Sequence, residues 1–209
     1  LLNDPLRYSL SRTQRTRKIV IRIAAGIVLP LILFADARLD HGHYLREFVE
    51  TFGLLLIVFG LMGRAWCSLY IGGHKARRLV RSGPYSLSRN PLYLFSFIAT
   101  AGIGAQTGSV MMMLLCLVGG WLIFRPVIDR EEQALASLFP EEYGTYHLAV
   151  PRLVPSLRQW ADVDRLEINP KLYRRTVLDS LAWLALVPVI QLVVLTHQTG
   201  HLPVFIHLP

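Results

Sequence analysis

Between Phe48 and Ile71 the chain runs almost without charge, Glu50 and Arg64 excepted. A helix over this stretch reaches about 36 Å at 1.5 Å per residue, enough to cross a bilayer core of about 30 Å. Further apolar runs lie at 19–34, 92–105, 110–128 and 176–196. Hydrocarbon offers no water to backbone groups, so runs of this kind must fold as helices. Composition agrees: 53% of residues are hydrophobic and 17% charged, with a mean hydropathy of +0.41, where a soluble domain carries roughly a quarter charged residues. The expected fold is all-α, an integral membrane protein of about five transmembrane helices. It reads as one membrane domain: N-terminal helices over 1–71, a core over 72–155, and a linker with an additional C-terminal helix over 156–209.

The charges fall in blocks. Arg12, Arg15, Arg17 and Lys18 precede the first run, Lys75 to Arg89 follow the second, Arg125 to Arg152 follow the fourth, and Arg174-Arg175 precede the last. With five spans all of these share one side, which the positive-inside rule makes cytoplasmic, as in a bacterial inner membrane. The net charge of +8 lies beside apolar runs and lacks an aromatic-basic recognition pattern, so anionic lipid is the expected partner and nucleic acid is not. Cys67 and Cys116 sit inside apolar runs and read as buried thiols. No removable leader is expected in the polar N-terminal residues. In the first run Arg22 snorkels and Pro30 is tolerated as a kink. His41-Gly42-His43 lacks further ligands at suitable spacing, so the loop from Ala35 to Glu47 reads as solvated, with no metal. Arg64 either marks a functional group within the membrane or snorkels from near its helix end, and the sequence leaves both open. His74 to Arg81 reads as an interfacial, lipid-facing segment. Gly102-Ile103-Gly104 suits close helix packing, and the Met111–Met113 run soft packing.

Two polar segments remain. In Gly83-Pro84-Tyr85-Ser86-Leu87-Ser88-Arg89-Asn90-Pro91-Leu92-Tyr93, turn chemistry separates two membrane-grade runs. Irregular polar backbone at such a place is tolerated where it is buried in protein or lines a cavity. The second segment begins at Asp129-Arg130-Glu131-Glu132 and continues through Leu135, Phe139, Tyr143 and Tyr146 to Val150-Pro151-Arg152. Its aromatic residues recur at helical steps, with Pro140 restarting the helix, so it reads as an amphipathic segment with an aromatic face turned inward. Between the two segments lies a helical hairpin, its tip at Gln106–Ser109. The segments are expected to share one face and to close over one small molecule.

On Gly83, Tyr85, Arg89, Asn90, Pro91 and Tyr93, then Glu131, Glu132, Leu135, Phe139, Tyr143, Tyr146, Val150 and Pro151, the chain resembles the isoprenylcysteine carboxyl methyltransferase and phospholipid methyltransferase superfamily. The likeness covers about residues 70–155, with Asn90 where the family pattern has His. The resemblance implies S-adenosylmethionine as cofactor, with S-adenosylhomocysteine as product, in a cytoplasmic-side pocket between the hairpin and the polar segment. Cofactor-binding roles carry over to Tyr85, Asn90, Pro91, Tyr93, Glu132, Tyr143, Tyr146 and Pro151. Arg89, Glu131 and Arg152 are the candidate catalytic residues: a cation orients a carboxylate acceptor, whereas an amine acceptor needs Glu131 or Glu132 as base. The expected activity is methyl transfer to a small lipophilic or lipid-linked acceptor, foremost carboxyl O-methylation. Amine N-methylation and a non-enzymatic scaffold or transporter are the alternatives.

Overall fold

The computed structural model describes residues 43–71 and 78–199, with 26, 35–37 and 206–208. The first apolar run, apart from Gly26, lies outside them, as do His41 and Gly42. Helix α1 spans His43–Ile71. It starts earlier than the expected loop to Glu47, because the helix continues past Glu47 and Glu50 and Arg46 pairs with Glu50 one turn on, at 3.0 Å. A short helix α2, Pro84–Leu87, leads into α3, Pro91–Ala105, where each proline occupies the first turn, which has no intrahelical partner for the missing N–H. Helix α4 spans Val110–Leu138, capped by Ser109, whose side chain accepts from the Met112 amide at 3.1 Å. It does not stop near Ile128. It passes through Pro126 and carries the polar residues outward on the same rod. Pro140 opens α5, Pro140–Ala149.

The last apolar stretch is longer than the sequence suggests. Helix α6, Pro170–Leu184, is capped by Asn169, whose side-chain oxygen accepts from the Lys171 and Leu172 amides. After a break at Ala185 it continues as α7, Leu186–Gln198. Among the described residues, three stretches are long and apolar enough to cross a membrane, Tyr44–Ile71, Val110–Leu138 and Pro170–His197, and Pro91–Ala105 is a shorter apolar helix. Besides these helices the described structure has a one-turn 3-10 helix at Leu157–Gln159 and a parallel pairing of β1, Ala35–Ala37, with β2, Ile206–Leu208. This is an integral membrane helical protein.

Helix α3 lies between α1 and α4, and α1 lies between α3 and α6. Ile57 and Leu61 of α1, Ala99 and Ile103 of α3, and Ile190 and Val194 of α7 form one buried cluster, so the C-terminal span walls the bundle. Glycine permits the closest approach: a Cβ on Gly102 would stand 2.8 Å from the Ile57 amide nitrogen, and one on Gly60 would stand 2.6 Å from the Phe95 carbonyl. Arg64 turns inward, donating to Ser96 of α3 and lying 5.8 Å from the Trp183 ring centroid of α6. Its guanidinium joins three helices rather than reaching only for the headgroups. Leu79 corrects another expectation. It is buried against Tyr143, Tyr146 and Val150, so this part of the basic segment packs on protein, while Arg78 and Arg81 remain exposed.

Candidate functional site

The site turn begins at Gly83, whose φ of 58° is a left-handed conformation that disfavours a side chain. The Tyr70 ring also fills the space where its Cβ would be. The turn ends at Asn90, with φ −127° and ψ 50°, off helical angles as its position before Pro91 requires. Residues 151–161 then run back along it. The Arg89 and Asn90 amides donate to the Pro151 and Arg152 carbonyls at 2.9 and 3.2 Å, and the Ser88 hydroxyl donates to the Arg152 carbonyl at 3.1 Å. These bonds draw the second polar segment onto the first.

Where they meet, Glu132 of α4 accepts from the Asn90 side-chain amide at 2.6 Å. The same carboxylate lies 3.8 Å from Arg89 Nη1 and 3.6 Å from Arg152 Nε. Arg152 also pairs with Asp129, one turn earlier on α4. Two cations and two carboxylates therefore balance, with an amide holding one carboxylate in place. The Arg89 side chain is 9% exposed and Glu132 15%. Among the described residues, Nε and Nη1 of Arg89 and Nε of Arg152 are buried with no hydrogen-bond partner, and the Tyr143 hydroxyl faces the Arg89 guanidinium. Buried donors of this kind are costly unless a further group satisfies them.

Helix α5 supplies the aromatic wall. Tyr143 and Tyr146 are each 5% exposed, and the Tyr146 hydroxyl donates to the Tyr85 carbonyl at 2.8 Å. Burial raises the Tyr143 phenol above its ordinary pKa; Glu132 adds to the rise and Arg89 opposes it. Burial also raises Tyr146, helped by Tyr143 and opposed by Arg89. Both rings therefore remain neutral at physiological pH. An open pocket of about 560 Å³ lies between α4 and α5, lined on α4 by Asp129, Glu132, Gln133 and Ala136. Its α5 side includes Pro140, Tyr143, Gly144 and His147. Glu132 and Tyr143 belong both to this wall and to the buried cluster.

The structure thus brings together Arg89, Asn90, Glu132 and Arg152, with Tyr143 beside them. Pro91 starts α3, and Pro151 contributes its carbonyl. Tyr146 ties α5 to the turn. Tyr85 packs with Cys67 and Tyr70, and Tyr93 with Phe97, Val127 and Ile128, both behind the site. Glu131 makes no ion pair or hydrogen bond among the described residues. Asp129, Gln133 and His147 were not singled out as site residues from sequence, although the one-turn spacing of Asp129, Glu132, Gln133 and Ala136 on α4 is a signal that could have found the lining.

The donor set fits the cofactor implied by the resemblance. The pocket sets the acceptors of Asp129 and Glu132, suited to an amine or hydroxyl, beside apolar Ala136, Pro140 and Gly144, and Arg89, next to Glu132 but outside the pocket lining, has donors suited to a carboxylate.

Comparison with known proteins places this geometry in a family. The profile of the phospholipid methyltransferases matches residues 49–142. The cobalt-zinc-cadmium resistance protein CzcN of Cupriavidus metallidurans is 34% identical over 181 residues, covering 87% of this chain and 83% of that protein. The nickel-cobalt-cadmium resistance protein NccN of Alcaligenes xylosoxydans xylosoxydans is 30% identical over 188 residues, covering 90% and 87%. A protein-S-isoprenylcysteine O-methyltransferase of Xenopus laevis is 30% identical over 124 residues, covering 53% of this chain and 42% of that enzyme. No solved structure matches significantly. The chain belongs to the isoprenylcysteine carboxyl methyltransferase and phospholipid methyltransferase superfamily of integral membrane proteins.

Proposed function

We propose that this protein transfers a methyl group from S-adenosylmethionine to a lipophilic acceptor, foremost a carboxylate, at the cytoplasmic face of a bacterial inner membrane. The observation that carries the reading is Glu132, held by Asn90, Arg89 and Arg152 where the two motif segments meet. Arg89, Asp129, Glu132 and Tyr143 would hold the cofactor, which supplies a methyl group bound to a positively charged sulfur. Transfer to a carboxylate would give an ester with no proton to remove, the electron pair of the methyl–sulfur bond leaving with the sulfur. This chain's own contribution is then to bind, to orient through Arg152 and to exclude water. An amine acceptor needs a base, and Glu132, already held by two guanidinium groups and an amide, is poorly placed to serve; Glu131 is the remaining candidate.

The relatives named for resistance to cobalt, zinc, cadmium and nickel support a second reading, a membrane accessory of metal resistance. Among the described residues no three His, Cys, Asp or Glu side chains gather as metal ligands. We read any link to metal resistance as running through modification of a membrane component. The test is calorimetric titration of the purified protein with S-adenosylmethionine and S-adenosylhomocysteine, followed by incorporation of labelled methyl into membrane extracts. Binding with label in a base-labile ester is the expected result. Folded protein in lipid that binds neither compound would overturn the reading and favour the accessory role.

A further inference from the structure

The linker after α5 is a strap with two different sides. Its inner edge is fixed to the site turn: besides the bonds from Arg89 and Asn90, the Ser156 amide donates to the Leu87 carbonyl at 3.0 Å and the Gly83 amide to the Ala161 carbonyl at 2.8 Å. The Ala161 amide donates to the Ser86 hydroxyl at 3.1 Å, and the Tyr70 hydroxyl of α1 holds Asp162 at 2.9 Å. The strap therefore runs antiparallel along Gly83–Asn90, bonded at both ends. It also carries exposed apolar side chains: Val154, Leu157, Val163 and Ile168 are 77%, 80%, 39% and 47% exposed, and Trp160, one side of which stacks on Trp66, is 49% exposed. A run of this kind facing water marks an interaction surface.

Two further observations name what covers it. The exposed cations Arg158, Arg165, Lys171, Arg174 and Arg175 are set among and just beyond these apolar residues, against Asp162, Asp164 and Glu167. The strap also runs directly into Pro170, where the membrane-spanning stretch begins, and is anchored through Tyr70 and Trp66 to the last turns of α1. Apolar side chains, a tryptophan and cations at that level are the composition that settles among anionic headgroups. We propose that the outer face of residues 154–168 lies in the headgroup layer of an anionic bilayer, and that this contact holds the strap against the site turn. The inference does not depend on the methyltransferase reading.

The test uses the full chain with Leu157→Cys carrying a polarity-sensitive fluorophore, in nanodiscs of phosphatidylcholine alone or mixed with phosphatidylglycerol. Cys67 and Cys116 are buried, and unsubstituted protein treated with the same reagent gives their background. In the anionic bilayer the emission shifts to the blue and quenching falls several-fold both for iodide and for neutral acrylamide, which the surface charge does not exclude; added salt reverses much of the blue shift. Arg158→Gln with Arg165→Gln removes most of the dependence on lipid charge. Amide exchange at Gly83, Arg89 and Asn90 slows in the anionic bilayer. Equal quenching in the two lipids overturns the proposal. Free access of iodide in both leaves the face to water or to a protein partner, and also overturns it. Protection of the label with unchanged exchange at the three amides overturns the coupling to the turn.

Discussion

Glu132 stands where the two polar segments meet, and its neighbours make its loss asymmetric. Glu132→Ala leaves the buried Arg89 without its counter-charge and removes the acceptor of Asn90. Breaking such a pair from one side costs on the order of 3–5 kcal/mol, because a desolvated charge is left behind. Glu132→Ala should therefore lower the unfolding temperature clearly in detergent and abolish cofactor binding, whereas Glu131→Ala, whose side chain has no partner among the described residues, should leave the melting temperature near that of the parent. Equal losses from the two variants would contradict the arrangement. The sequence made this cluster legible by residue type: arginine and asparagine before a proline, and a glutamate pair after a hairpin. It could not choose between the glutamates. Adjacent residues on a helix point about 100° apart, and the rotation of α4 is set by packing over many turns rather than by the dipeptide itself.

At the scale of elements, the apolar runs within the described residues announced their helices, but where a helix ends depended on what the run could not show. Apolarity stops near Ile128 while α4 continues to Leu138, because leaving the membrane changes the side chains and not the backbone pattern. The strap was illegible for a different reason. Its hydrogen bonds go to a turn more than sixty residues earlier, and irregular backbone pairing leaves no period in the sequence. Gly-Ile-Gly, by contrast, read correctly as packing. Close approach makes a further prediction: Gly60→Ala places a methyl 2.6 Å from the Phe95 carbonyl and 2.8 Å from Ala99 Cβ, so α1 and α3 must separate. Overpacking of this kind costs about 1–3 kcal/mol. Gly119→Ala on α4 meets nothing within 4 Å and should be neutral or stabilising. Thermal unfolding of the two variants in the same detergent checks the contrast.

For the molecule as a whole, charge and chemistry among the described residues gather at one end. Arg78, Arg81, Arg130, Arg158, Arg165 and Arg174 share the site end, whereas Arg46 at the other end is in an ion pair with Glu50. The hairpin tip sits beside Arg46, since the Gln106 side chain donates to the Glu50 carbonyl at 2.8 Å and accepts from Gln191 of α7 at 3.4 Å. Val110→Cys and Leu148→Cys should accordingly react with an impermeant thiol reagent from opposite faces of oriented vesicles, Leu148→Cys from the cytoplasmic one. Reaction from the same face would refute the arrangement. The small pairing of Ala35–Ala37 with Ile206–Leu208 adds an argument from parity. Strands bonded to each other stand on one face of the bilayer, so the chain between them crosses it an even number of times. Helices α1 and α4 are each long enough to cross, and the shorter α3 returns the chain between them, from Asn90 beside Glu132 to Gln106 beside Glu50, so the three count as three crossings. The break at Ala185 is therefore a bend within a fourth complete crossing, since a re-entrant tip there would return the chain to the wrong face.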